Sequence, residues 1–321
     1  MKNSTQSPQR LEYIDLAKGI GIILVVIGHS INGHGITGHY ISSFHMPLFF
    51  LLSGLCFNDS RYPKFTPFFK KRIRTLLLPC LYFTCIMLVL SALLMPDYYP
   101  LKSLTYKLPN AYWFIFILFL SELFYFIINR TATNLKGKIL LMIGCLCVSG
   151  FLHHKDIVLP YNICSVFIAI FFYGTGHLLK DTINKKITTV HKKRWIIILL
   201  AIPAISVFFT KKSLDLSSNT IPHPEIYYII IAFIGITGIL TLCHFFSQQE
   251  GKSKQFILYI GKSTLVILMM HMFFISLCSH YIMPFIENKL MYKLLEQSIM
   301  WVLLFAIIRF INTKAQWLIG K

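Results

Sequence analysis

Acidic residues are scarce in this chain: Asp and Glu together number 12 among 321 residues. Charged residues of both signs make up 13 %, about half the share typical of a soluble globular protein. Mean hydropathy is +0.64 and 55 % of residues are hydrophobic, which excludes an ordinary water-soluble fold. No internal repeat, low-complexity tract or separate polar domain interrupts the pattern. The 8 cysteines show neither disulfide nor metal-ligand spacing, and most lie in apolar runs, where Cys behaves as a small hydrophobe. Cys145 and Cys147 form the one close pair, and a helix points them to different faces. No metal site or permanently bound cofactor is expected. Residues 1–12 are polar and lead into an apolar run without a small-residue cleavage site, so no cleavable signal peptide is expected.

What is present is a series of apolar runs, most of them long enough to cross a bilayer. They fall at 14–33, 44–57, 74–95, 112–129, 138–152, 160–179, 195–210, 225–247, 256–279 and 297–313. The fold class is all-α: a polytopic membrane protein of about ten transmembrane helices, with a tail at 1–12, one transmembrane domain at 13–313 and a tail at 314–321. With the N-terminus inside, 24 of the 31 Lys and Arg fall on inner segments and their borders. The positive-inside rule then places both termini in the cytoplasm, and a multi-pass protein of the inner (cytoplasmic) membrane is expected. The net charge of +19 reads as topology plus contact with anionic membrane lipids, not as a nucleic-acid footprint.

The stretch that organises the rest is Tyr13–Ser30, YIDLAKGIGIILVVIGHS. As a helix it carries three strongly polar side chains: Asp15, Lys18 and His29. His29 follows Lys18 by eleven positions, about three turns, which puts both on one face roughly 16 Å apart. Asp15 stands three residues before Lys18, within pairing reach. With Lys18 near one boundary of a core about 30 Å thick, His29 lies halfway or more across, where an ionisable group is a functional candidate. The plainer reading makes His29 a helix end near the far interface.

Further candidates follow along the chain. The short run 44–57 opens with His45 and contains Pro47 and Ser53-Gly54, which suits either close helix packing or the lining of a polar cavity. Lys71, Arg72 and Arg74 crowd the mouth of the third run, as a phosphate-binding cluster or as a stop-transfer signal. Trp113 belongs to an interfacial aromatic group, and Glu122 is a carboxylate deep in the fourth run that needs a partner or a water-filled cavity. Asn162 stands at the outer end of the sixth run and His271 deep in the ninth. His45, Ser53, Trp113, Asn162 and His271 are the candidates for lining an acceptor cavity. The stretch 180–194 reads as a basic connector and 211–224 as the most polar outer loop.

Several segments in colinear order then resemble one family. Lys18 and His29 with ten residues between, SFHMPLFFLLSG and KKRIRTLLLP are similar to the acyltransferase-3 family of integral-membrane O-acyltransferases. WFIFILFLSELFYFI, LPYNICSVFIAIFFYGTGHLL, HPEIYYIIIAFIGI and YIGKSTLVILMMH resemble its fucose 4-O-acetylase-like branch. The resemblance implies transfer of an acetyl or other short acyl group from cytoplasmic acetyl-CoA (acyl-CoA) to a hydroxyl of a cell-surface or lipid-linked glycan. It places the family's basic-x10-His motif on Lys18 and His29, its Arg-x-x-Arg motif on Lys71 and Arg74, and its Ser-Gly pair on Ser53 and Gly54. Lys stands where Arg is usual at 18 and 71, which keeps the charge but not the bidentate fork.

Chemically, His29 is the best base, assisted by Asp15 and Glu122 as further catalytic candidates, while Lys18, Lys71, Arg72 and Arg74 hold the CoA head. An acyl-His relay and direct transfer both remain open. The rival class is a proton-coupled transporter, since buried His29, Glu122 and His271 also suit a carrier. The absence of a repeat stands against it.

Overall fold

The computed structural model describes residues 12–31, 35–95, 111–189, 194–209, 216 and 225–321. The tail 1–11, His34 and, Leu216 apart, the polar stretch 211–224 lie outside the described residues. Everything regular in the described part is helical. Eight helical stretches are long and apolar enough to cross a membrane, and a helix falls on each of the ten apolar runs.

In chain order the helices are α1 (Glu12–Ser30), α2 (Gly35–Ser42), α3 (His45–Leu55), α4 (Phe65–Arg72), α5 (Leu78–Leu94) and α6 (Tyr112–Thr131). There follow α7 (Leu135–His154), α8 (Cys164–Leu178), α9 (Lys180–Thr189), α10 (Arg194–Ser206) and α11 (Glu225–Ser247). The last are α12 (Lys252–Lys262), α13 (Thr264–Tyr281) and α14 (Lys289–Lys314). Asparagines start two of them. Asn134 Oδ1 accepts from the Gly137 N–H at 2.7 Å, and Asn288 Oδ1 from Leu290 and Met291 at 3.0 and 3.1 Å, satisfying donors that a helix start leaves open.

Three segments depart from the sequence expectation, each for a local reason. The third run is longer than 74–95, because α4 and α5 form one 30-residue helix, Phe65–Leu94. A π-helical turn at Ile73–Leu77 joins them. Pro79 sits just beyond that turn; it has no N–H to give, and its ring crowds the Thr75 carbonyl, which the wider turn relieves. The ninth run, 256–279, is two helices. Residues 252–262 form α12, which carries Lys252, Lys254 and Lys262 and packs across α1, and the span proper begins at Thr264. The tenth run starts at Lys289 rather than 297, which brings Tyr292, Lys293 and Glu296 into the bundle.

At the centre stand α1 and α3. All residues of α3 except His45 and Ser53 are buried, so its 11 residues cross only part of a bilayer while enclosed by protein, as a short span requires. It packs most closely on α8 and also touches α1 and α11. Its crossing with α8 is a backbone contact: a Cβ on Gly54 would overlap the Tyr173 carbonyl, and one on Gly176 the Leu51 carbonyl. Gly54 therefore serves packing, the reading that small residues between membrane helices favour. The same device joins α1 to α12, where Gly19 meets the Ile257 carbonyl and Gly261 the Asp15 carbonyl.

Candidate active site

Helix α1 has a polar group toward each end, as its sequence suggests. Around Lys18, near the start of α1, the chain gathers Cys56 from the end of α3, Arg72 from the end of α4, Glu122 from the middle of α6 and Tyr173 from α8. Lys18 Nζ lies 3.8 Å from Cys56 Sγ. Arg72 Nε lies 2.7 Å from Glu122 Oε2, and its guanidinium stands over the Phe68 ring at 5.1 Å. Glu122 is buried and feels the charge of Lys18 as well as that of Arg72. The Tyr173 hydroxyl is enclosed beside this pair without a hydrogen-bond partner.

The structure thus gives Glu122 the partner its depth demands, and it turns Arg72 inward to that carboxylate, away from its two neighbours in the basic cluster. Arg74 is exposed and Lys71 half-buried, and neither joins an ion pair among the described residues. Asp15 is buried on α1.

A second network on the same side of the bundle centres on Asp59, which sequence reasoning missed. His177 Nε2 lies 3.5 Å from Asp59 Oδ2, and Asn129 Nδ2 donates to Oδ1. Arg130 donates to the carbonyls of Asp59 and Tyr62 at 3.1 and 2.9 Å. The Tyr125 hydroxyl and His177 Nδ1 are 2.8 Å apart. The loop after α3 is thereby tied to the ends of α6 and α8.

At the other end of α1, His29 meets His271 of α13. The ring centroids are 5.2 Å apart and the planes are inclined at 47°. His271 is wholly buried. Its Nδ1 lies 2.9 and 3.0 Å from the carbonyls of Ile267 and Leu268. Carbonyls only accept, so Nδ1 carries the hydrogen and the neutral ring keeps its lone pair on Nε2, a buried atom with no hydrogen-bond partner. Tyr112, at the start of α6, donates from its hydroxyl to the Met269 carbonyl at 3.1 Å and steadies this part of α13. The sequence marked His29 and His271 separately; the fold makes them a pair.

The remaining candidates lie on other elements. Trp113 is half-buried with its ring against Phe114. His45 Nδ1 lies 2.8 Å from the Ile41 carbonyl, where the ring ties α3 to α2. Ser53 is half-buried on α3. Asn162, with Tyr161, occupies the left-handed region (φ 63° and 55°) in the turn into α8, and α8 packs on α3, α6 and α7.

One group at the His29 end was not anticipated. Glu296 of α14 is fully buried. It accepts a hydrogen bond from the Ser30 hydroxyl on Oε1, and Lys293 Nζ lies 3.0 Å from Oε2. Its signal was in the sequence: Glu296 precedes Met300, Leu304 and Ile308 at intervals of four, the buried stripe of α14.

This arrangement defines a multi-pass membrane protein with a cation-lined polar cluster at one end of its central helix and an imidazole pair at the other. Residues 11–311 match the family model described as an acyltransferase domain, and the chain belongs to that acyltransferase-3 family. It is also similar to the nodulation protein NolL of Mesorhizobium japonicum, with 29 % identity over 213 residues. That match covers 60 % of this chain and 54 % of the relative, so it spans about half of the relative's length. No solved structure matches the chain.

Proposed function

We propose that the chain is a membrane O-acyltransferase that moves an acetyl or other short acyl group from acyl-CoA to a hydroxyl of a cell-surface or lipid-linked glycan, with His29 as base. Family membership supports the class of reaction. The observation that carries the site is the His29–His271 pair, two imidazoles in contact inside an apolar bundle. The Lys18 end faces the cytoplasm, in keeping with the distribution of Lys and Arg, and there Lys18, Lys71 and Arg74 meet the phosphates of the donor. The pantetheine arm runs along α1 and brings the thioester to the His29 end, where the acceptor hydroxyl arrives from outside.

The chemistry follows from what each group can hold. His29 accepts the hydroxyl proton as the oxygen attacks the thioester carbonyl. The tetrahedral intermediate collapses, the C–S bond breaks, and the CoA thiolate takes the proton back from His29. While His29 is an imidazolium, the free Nε2 lone pair of His271 offers an acceptor beside it, in a medium of low dielectric where such a partner counts most. Arg72 and Glu122 neutralise each other and shape the wall between donor head and reacting centre.

The test is mass spectrometry of glycans from deletion cells complemented with the wild type or with His29→Ala. Wild type restores the mass of one acyl group per acceptor sugar and His29→Ala does not. Transfer retained by His29→Ala would remove His29 from the chemistry. Solute uptake driven by a proton gradient, with no change in any glycan, would identify a carrier.

A further inference from the structure

Glu296 is a carboxylate at a position that an apolar residue would fill without penalty. It heads the stripe Met300, Leu304, Ile308 and Ile311 on the buried face of α14. Keeping a charge there is expensive unless every lone pair is used. Two groups meet its oxygens: the Ser30 hydroxyl on Oε1 and the Lys293 ammonium, 3.0 Å from Oε2. α14, which carries Glu296, packs along α13. Glu296 is therefore joined directly to α1 at Ser30, from a helix that packs against α13, so it stands between the two helices that carry the imidazole pair.

The place of Ser30 explains the need. It is the last residue of α1, next to His29, and the final turn of a helix has unsatisfied carbonyls and frays. A base in that turn is held only as well as the turn is. A 1 Å misplacement of a reacting group costs on the order of a hundredfold in rate. We infer that Glu296 is a positioning residue for the transfer: through Ser30 it ties the end of α1 to α14, which packs on α13, so that His29 is held against His271.

This inference rests on His29 as the base. Its test uses native membrane vesicles carrying their own acceptor and supplied with radiolabelled acetyl-CoA. Ser30→Ala should lower kcat roughly tenfold or more with the KM for acetyl-CoA within about twofold, because the donor head binds at the other end of α1. Ser30→Thr, which keeps the hydroxyl, should restore kcat. Glu296→Gln still accepts from Ser30 but loses the charge for Lys293, so it should retain more activity than Glu296→Ala at equal abundance. A purely structural role predicts instead that lost activity follows lost folded protein, with kcat per folded molecule unchanged. That outcome, or a Ser30→Ala protein with wild-type kcat, or failure of Ser30→Thr to restore it, overturns the inference. Should Ser30→Ala not accumulate, an unchanged kcat in Glu296→Gln and Glu296→Ala together overturns it equally. His29→Ala assayed in parallel separates the two readings: if it is active, the proposed base is wrong whatever Ser30 does.

Discussion

Replacing Arg72 by Met should destabilise the protein before it weakens donor binding. At 2.7 Å and an effective dielectric of about 20, the gross attraction between Arg72 and Glu122 is about 6 kcal/mol. Much of that offsets the desolvation of both ions, yet removing one partner of a buried pair leaves the other uncompensated and typically costs 3–5 kcal/mol. The Glu122 side chain is 4 % exposed and that of Arg72 22 %, so water reaches the arginine but not the carboxylate. Arg72→Met strands the carboxylate and should cost about 3 kcal/mol or more; Glu122→Gln leaves a cation that can hydrate, and should cost less. In detergent-purified protein the first should lower the unfolding midpoint by about 5 °C or more. The double variant Arg72→Met/Glu122→Leu should recover most of that loss, and a double-mutant cycle gives the coupling directly. A midpoint within about 1 °C of wild type for Arg72→Met, or no coupling in the cycle, would refute the ion pair. Acetyl-CoA affinity, measured by calorimetry on the stable double variant, then reports whether Arg72 also meets the donor.

Lys71→Glu with Arg74→Glu should weaken acetyl-CoA binding at least tenfold while leaving the unfolding midpoint nearly unchanged, since neither side chain is engaged in an ion pair among the described residues; an inverted topology, read by protease accessibility, would show that these charges only set orientation. His271→Ala should lower transfer roughly tenfold or more with acetyl-CoA affinity unaltered, and full activity would separate His271 from the reaction. Gly54→Val drives side-chain atoms into the Tyr173 carbonyl and should cost at least the 1–3 kcal/mol usual for overpacking, seen as a lower melting midpoint; a neutral result would mean that α3 and α8 do not touch by their backbones.

The parts of this fold legible in the sequence are those set by local hydropathy. Runs of apolar residues identified the helices, and Lys18 and His29 were visible because they interrupt one. Pairings between distant segments were not legible. Arg72 reads as one of three similar cations, and nothing local says that it turns to Glu122 while Arg74 faces outward. His271 stands out by its depth in the ninth run, but nothing local pairs it with His29 until α13 is laid against α1. Glu296 escaped notice because Lys293 and Glu296 give the start of α14 the look of a polar flank, although the spacing of four to the buried stripe places it on the inner face. The break at Ser263 was hidden because Phe256, Ile257 and Leu258 continue the apolar run on α12, a separate short helix packed on α1.

The two attachments of α1 bear on what can move. In its first half its backbone lies close against that of α12, Gly19 at the Ile257 carbonyl and Gly261 at the Asp15 carbonyl. At its last residue, Ser30 is hooked to α14 through Glu296. A carrier that alternates its access must let the helices around its binding site rock or slide, and a helix clamped in two places is a post, not a piston. In the proposed reaction the substrates approach this post from opposite faces of the membrane, each stopping where its own chemistry holds it. Under the proposed function only the acyl group completes the crossing, handed along a stationary helix while donor head and acceptor stay on their own sides.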